Sequence, residues 1–193
     1  MRYQIAILTY LAYAAIHVMR TTFPFVQYDI VKYYDTDEKY IGILGAVTYI
    51  VIGIGYLAHN IIRPTKLVHN YFIEVSLSAI FFIVIPISMF FEIKILALGI
   101  IFYGLYGWFQ SASYATLTTI ILSHFNDAED GTLIGFWAST SDFGNILGFF
   151  MSTVIIYYLH IDWRVTLIIA GLLTLLFNTL MKINVPELIM EDS

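Results

Sequence analysis

The chain has 193 residues, of which 60% are hydrophobic and only 12% charged, with a mean hydropathy of +0.81 and a formal net charge of −5. Soluble globular domains do not sustain that balance, and an acidic chain with its charges in polar connections excludes a nucleic-acid surface. Cysteine is absent, which excludes a disulfide framework and a thiolate metal site.

Runs free of charged residues cover 3–19, 40–62, 75–91, 95–126 and 165–181, and 132–161 is interrupted only by Asp142. Each approaches or exceeds the roughly 20 residues of helix that cross a hydrocarbon core. They predict an all-α membrane protein: one six-helix bundle over residues 1–186, with spans at about 4–31, 40–62, 69–91, 95–123, 132–158 and 164–182, and a polar tail at 187–193. Arg2 ahead of an apolar run is compatible with a signal peptide, but the run is long and has no convincing cleavage site.

The first span carries the chemistry. Tyr10, Tyr13, His17 and Arg20 recur at spacings of three and four, which places them on one helical stripe. A charge deep in a membrane costs a few kcal/mol, about 3 on insertion scales, so Arg20 is expected to face a bundle interior or a watery cavity and to bind an anion. Pro24 removes a backbone hydrogen bond near Arg20 and favours a bend. The alternative is that the helix ends near Arg20 and its guanidinium snorkels to lipid headgroups.

Glu74, near the start of the third span, reads as a solvated helix-end residue. His59, His69, His124 and His160 fall near span ends at no metal-ligand spacing. The 15 tyrosines and 15 phenylalanines read as packing and interfacial belts. No nucleophile has an adjacent base and no glycine loop cradles phosphate, so neither an enzyme nor a bound cofactor is expected. Orientation is balanced: Arg2, Arg63, Lys66 and Lys182 fall on one side, against Lys32, Lys39, Lys94 and Arg164 on the other. The loop after the fourth span is acidic, with Asp127, Glu129 and Asp130.

The run from Tyr13 to Arg20, Tyr-Ala-Ala-Ile-His-Val-Met-Arg, resembles the first helix of the organophosphate:phosphate antiporters of the major facilitator superfamily, the sugar-phosphate exchangers among them. A longer match runs through Gly107-Trp108-Phe109-Gln110-Ser111, Phe125, Gly131, Gly135 and Trp137 to Gly144-Asn145-Ile146-Leu147-Gly148. Gly55, His59-Asn60, Ile62 and Arg63 form a weakened version of the superfamily's loop signature, and Asp162-Trp163-Arg164 leading to Val185-Pro186-Glu187 resembles the end of its amino-terminal half.

The resemblance implies a major-facilitator-like amino-terminal half built as a 3+3 repeat, with a phosphorylated small-molecule anion as substrate and Arg20 as the phosphate ligand. Guanidinium suits that task because its planar fork pairs with phosphate oxygens. His17, Tyr13, Gln110 and Asn145 are the accompanying substrate-binding candidates; for Gln110 and Asn145, interhelical hydrogen bonding is an equal alternative. Gly131 with Gly135 and Gly144 with Gly148 are expected to seat helices against one another.

Three departures stand out. Thr21 replaces the family's lysine, Asp142 replaces a small hydroxyl residue, and the acidic loop of Asp127, Glu129 and Asp130 stands where the family tends to be basic. In the weakened loop signature, His59 and Asn60 stand in place of the acid and base. Asp142 is expected to pair with Arg20 or to serve as a coupling group, because both are charges placed in a bundle. Six spans supply one wall of a cavity, so the expected partners, besides the lipid bilayer, are a second six-helix half, as a copy or a separate chain, or other membrane subunits. The alternatives to transport are a degenerate half retained as a structural subunit, and a truncated gene.

Overall fold

Around α1 (Arg2–Phe25), the most buried of the long apolar helices, the rest of the chain is arranged. The computed structural model describes residues 2–61, 65–93, 95–125 and 131–189. The expectations placed on the side chain of Asn60, on Ile62, Arg63, Lys94, the acidic loop at 126–130 and the tail beyond residue 189 lie outside those residues.

Helix α1 does not end near Arg20. It continues through Pro24 to Phe25, and after Val26 the chain resumes as α2 (Gln27–Tyr34). The break is a single residue wide: the Val26 amide still donates to Thr22 O at 3.3 Å and Phe23 O at 3.1 Å. Proline has no N–H to give, so the carbonyl of Arg20 lacks its usual helical donor there. Asp35, in the left-handed conformation at φ 49°, closes α2 and turns the chain into α3 (Glu38–Ile61).

Helices α3, α4 (Leu67–Phe90) and α9 (Trp163–Asn184) are, with α1, four helices long and apolar enough to cross a bilayer. The expected fourth and fifth spans are segmented. The fourth comprises α5 (Leu96–Gln110) and α6 (Ser113–His124), and the fifth comprises α7 (Gly131–Ala138), α8 (Thr140–Thr153) and a π-helical turn, Val154–Tyr158. Hydroxyls mark both breaks. Ser111 Oγ donates to Trp108 O at 2.7 Å and Ser139 Oγ to Phe136 O at 2.7 Å, offering carbonyls near the break a side-chain partner.

The packing is pairwise. Helix α1 lies against α8 and α9, α5 lies against α3 and α4, and α4 packs on α9. Two apolar cores result, one around Ile16, Tyr71, Leu117 and Ile120 and the other around Met19, Phe82, Ile85 and Leu167. They divide α1 between Ile16 and Val18, so His17 stands at their junction. Large apolar side chains such as Ile54, Leu57, Phe136, Ile146 and Phe150 cover the outside. Exposed apolar surface of that extent over helices that satisfy their own backbone requires lipid. The chain is an integral, multi-pass membrane protein.

The glycine pairs divide. A Cβ on Gly144 would collide with Ala14 O, and one on Gly148 would stand 3.0 Å from Val18 O, so these glycines let α8 seat directly on the α1 backbone. Gly131 and Gly135 have nothing within 4 Å among the described residues and seat no helix there. The difference is one of register: α8 meets α1, whereas the exposed faces of α7 at these positions meet nothing.

Residues 187–189, expected as the start of a polar tail, return to the bundle. Leu67 N donates to Leu188 O at 3.1 Å, and Glu187 Oε1 accepts from Val68 N at 2.8 Å and His69 N at 3.2 Å, at the first turn of α4. A carboxylate there satisfies orphan donors and complements the helix dipole.

Candidate functional site

Arg20 is half-buried on α1, where its Nε donates to Gln110 Oε1 at 2.5 Å. Gln110, fully buried at the end of α5, donates in turn through Nε2 to Tyr106 OH at 3.2 Å. A neutral amide therefore orients the guanidinium, and its charge meets no carboxylate within ion-pair range among the described residues. A cation held in a membrane bundle by neutral partners is suited to an anionic ligand.

One turn earlier, His17 is 8% exposed; its Nδ1 lies 3.3 Å from Asn145 Oδ1, which also accepts from Thr21 Oγ1 at 2.7 Å. Its Nε2 is buried without a partner. Tyr13 stands edge-on to His17, with ring centroids 4.8 Å apart, and stacks on Trp137 at 5.9 Å. Arg20 also lies within electrostatic reach of Tyr13, Tyr56 and Tyr106, drawing α1, α3 and α5 into one polar patch.

The structure thus brings together Arg20, Gln110, His17, Asn145 and Tyr13. It does not bring Asp142 to Arg20. No ion pair joins the two among the described residues, and Asp142 is exposed in the first turn of α8. Gly144 and Gly148 face α1, and Asp142, two residues before Gly144, is rotated by about 200° from that contact. It lies within electrostatic reach of His17.

Beside Arg20 a groove of about 280 Å³ opens between α1, α3 and α5, lined among others by Phe23, Gln27, Gly45, Tyr49, Tyr103 and Tyr106. The tyrosines of α5 were legible as more than packing: Tyr103, Tyr106 and Gln110 repeat at three and four, as Tyr13, His17 and Arg20 do on α1.

Glu74 is not merely a solvated helix-end residue. His59 Nε2 lies 3.0 Å from Glu74 Oε1, while Nδ1 lies 2.7 Å from Gly55 O and 3.2 Å from Ser111 Oγ. The cluster ties α3 and α4 to the break between α5 and α6. Gly55 makes it feasible, since a Cβ there would meet Ser111 Oγ. No group of three or more metal-ligating side chains occurs among the described residues.

No protein-family model matches the chain. It is 24% identical over 170 residues to a probable hexose phosphate transport protein of Chlamydia trachomatis serovar D, and 22% identical over 170 residues to one of the same description from Chlamydia muridarum. Each alignment covers 88% of this chain but only 36% of the relative. The chain is therefore distantly similar to transporters for a phosphorylated sugar, and spans about a third of their length.

Proposed function

We propose that this chain forms one six-helix wall of a secondary transporter that moves an organic phosphate or phosphate anion once a second six-helix body, a copy or a separate chain, completes the cavity. Arg20 binds the phosphate, Gln110 orients it, and His17, Tyr13 and Asn145 line the site. Asp142, exposed near His17, is the coupling group. The carrying observation is Arg20 itself: a guanidinium within a membrane helix, held by an amide and without an acidic partner among the described residues.

The packing supports a 3+3 arrangement with passes α1/α2, α3, α4, α5/α6, α7/α8 and α9. Exchanging the first three passes for the last three turns the α1–α8 contact into α5–α3 and α1–α9 into α5–α4, and returns α4–α9 to itself. Repeats of this kind place substrate at their interface near mid-membrane and work by rocking around it. The named activity of the distant relatives supports a sugar phosphate as the substrate class.

The test is uptake of labelled glucose 6-phosphate into vesicles carrying the full chain with its copurifying membrane partners. Arg20→Ala is expected to abolish uptake, and uptake that persists in Arg20→Ala sinks the assignment. Wild-type vesicles that take up nothing favour a structural subunit instead.

A further inference from the structure

The groove beside Arg20 is larger than inorganic phosphate needs, and its lining is not that of an anion pocket. Apart from Arg20, Gln27 and Thr48 it presents aromatic rings, aliphatic side chains and two glycines of α3, Gly42 and Gly45. Of its polar groups, Thr48 Oγ1 donates to Leu44 O at 2.9 Å, Tyr106 OH accepts from Gln110, and Gln27 and Tyr49 are exposed. Tyr103 differs from all of these. It is 3% exposed, its ring packs on Phe23 at 4.4 Å, and its hydroxyl is buried without a partner among the described residues. Leaving a buried hydroxyl unpaired is unfavourable, and a ligand hydroxyl would relieve it.

We propose that this groove is the subsite for the organic part of the Arg20-bound ester, and that it separates phosphorylated sugars from inorganic phosphate. The ester's phosphate meets the terminal guanidinium nitrogens of Arg20. Its ring lies along the bare backbone at Gly42 and Gly45 with an apolar face against the tyrosines, and one of its hydroxyls pairs with Tyr103. The inference rests on the transport reading and adds the determinant of specificity to it.

A Cβ at Gly45 meets nothing within 4 Å, so Gly45→Leu fills the groove without displacing a helix. The full chain with its copurifying partners, in lipid nanodiscs, is titrated by calorimetry with glucose 6-phosphate and separately with inorganic phosphate. Tyr103→Phe is expected to weaken glucose 6-phosphate about tenfold, the scale of one hydrogen bond, and Gly45→Leu by more, while inorganic phosphate changes less than about twofold in both. Equal losses for the two ligands, or none for glucose 6-phosphate, overturn the subsite. So does a phospholipid that copurifies with the wild type and is lost in Gly45→Leu.

Arg20→Ala separates the two levels of the argument, since it should remove both ligands. Binding that survives Arg20→Ala, or a wild type that binds neither ligand, overturns the transport reading and the subsite with it. Arginine-dependent binding that ignores Tyr103 and Gly45 overturns the subsite alone.

Discussion

At the scale of single residues, the site turns on how Arg20 is neutralised. Gln110 holds Nε at 2.5 Å with a carbonyl oxygen and adds no charge. Gln110→Leu removes the orienting bond, and a hydrogen bond to a charged group contributes about 1.5–3 kcal/mol, so phosphate affinity should fall tenfold or more. Gln110→Glu should be worse although it is nearly isosteric, because an internal carboxylate then competes with the ligand for the same guanidinium. Titration with inorganic phosphate ranks the three forms as wild type, Leu, Glu. A glutamate variant that binds as the wild type does would remove the argument that Arg20 awaits an anion. Arg20 was legible because its position inside an apolar run is a property of the sequence. That Asp142 would stand exposed and away from Arg20 was not legible, since it depends on which face of α8 is presented to α1.

At the scale of helices, identical sequence patterns have different fates. Gly131/Gly135 and Gly144/Gly148 share the same four-residue spacing, yet only the second pair lies beneath another backbone. Gly144→Ala forces its new methyl against Ala14 O, a backbone atom that cannot rotate away, and should cost about 1–3 kcal/mol as overpacking. Gly135→Ala should be neutral or stabilise by up to about 1 kcal/mol, because alanine is the better helix former and the space is open. Thermal unfolding in detergent checks both, and comparable losses in the two variants would contradict the seating of α8 on α1.

The long apolar helices were legible from charge-free length, but the breaks at Ser111–Ala112 and Ser139 were not. Neither contains proline or glycine, and serine or threonine hydroxyls that bond nearby carbonyls occur equally in unbroken helices such as α9, where Thr174 Oγ1 donates to Ala170 O. The clasp of His59 and Glu74 was equally hidden. Its partners are 15 residues apart on separate helices, and it is the α3–α4 hairpin that brings them together.

At the scale of the whole molecule, α4 and α9 form the pair that the internal exchange of passes leaves in place, and the chain fastens this pair once more with Glu187. Burial raises the Glu187 carboxyl, but the Lys182 ammonium at 3.0 Å and the amides of His69 and Val68 outweigh it and hold the group below its ordinary value of 4.5. A carboxyl lowered by folding contributes stability that is fully present above the unfolded value, about 4.3, and lost as pH falls through the lowered folded value. Acidification below about pH 4 should therefore release residues 187–189 from α4 while the membrane helices persist. Amide hydrogen exchange at Val68 and His69 should accelerate over that window and remain slow above about pH 5. Glu187→Gln removes the titration, so exchange there should become independent of pH after correction for the intrinsic rate. Because the clasp lies on α4 and α9, away from the groove between α1, α3 and α5, this substitution should leave phosphate binding unchanged. If it weakens binding instead, the α4–α9 pair takes part in shaping the proposed anion site.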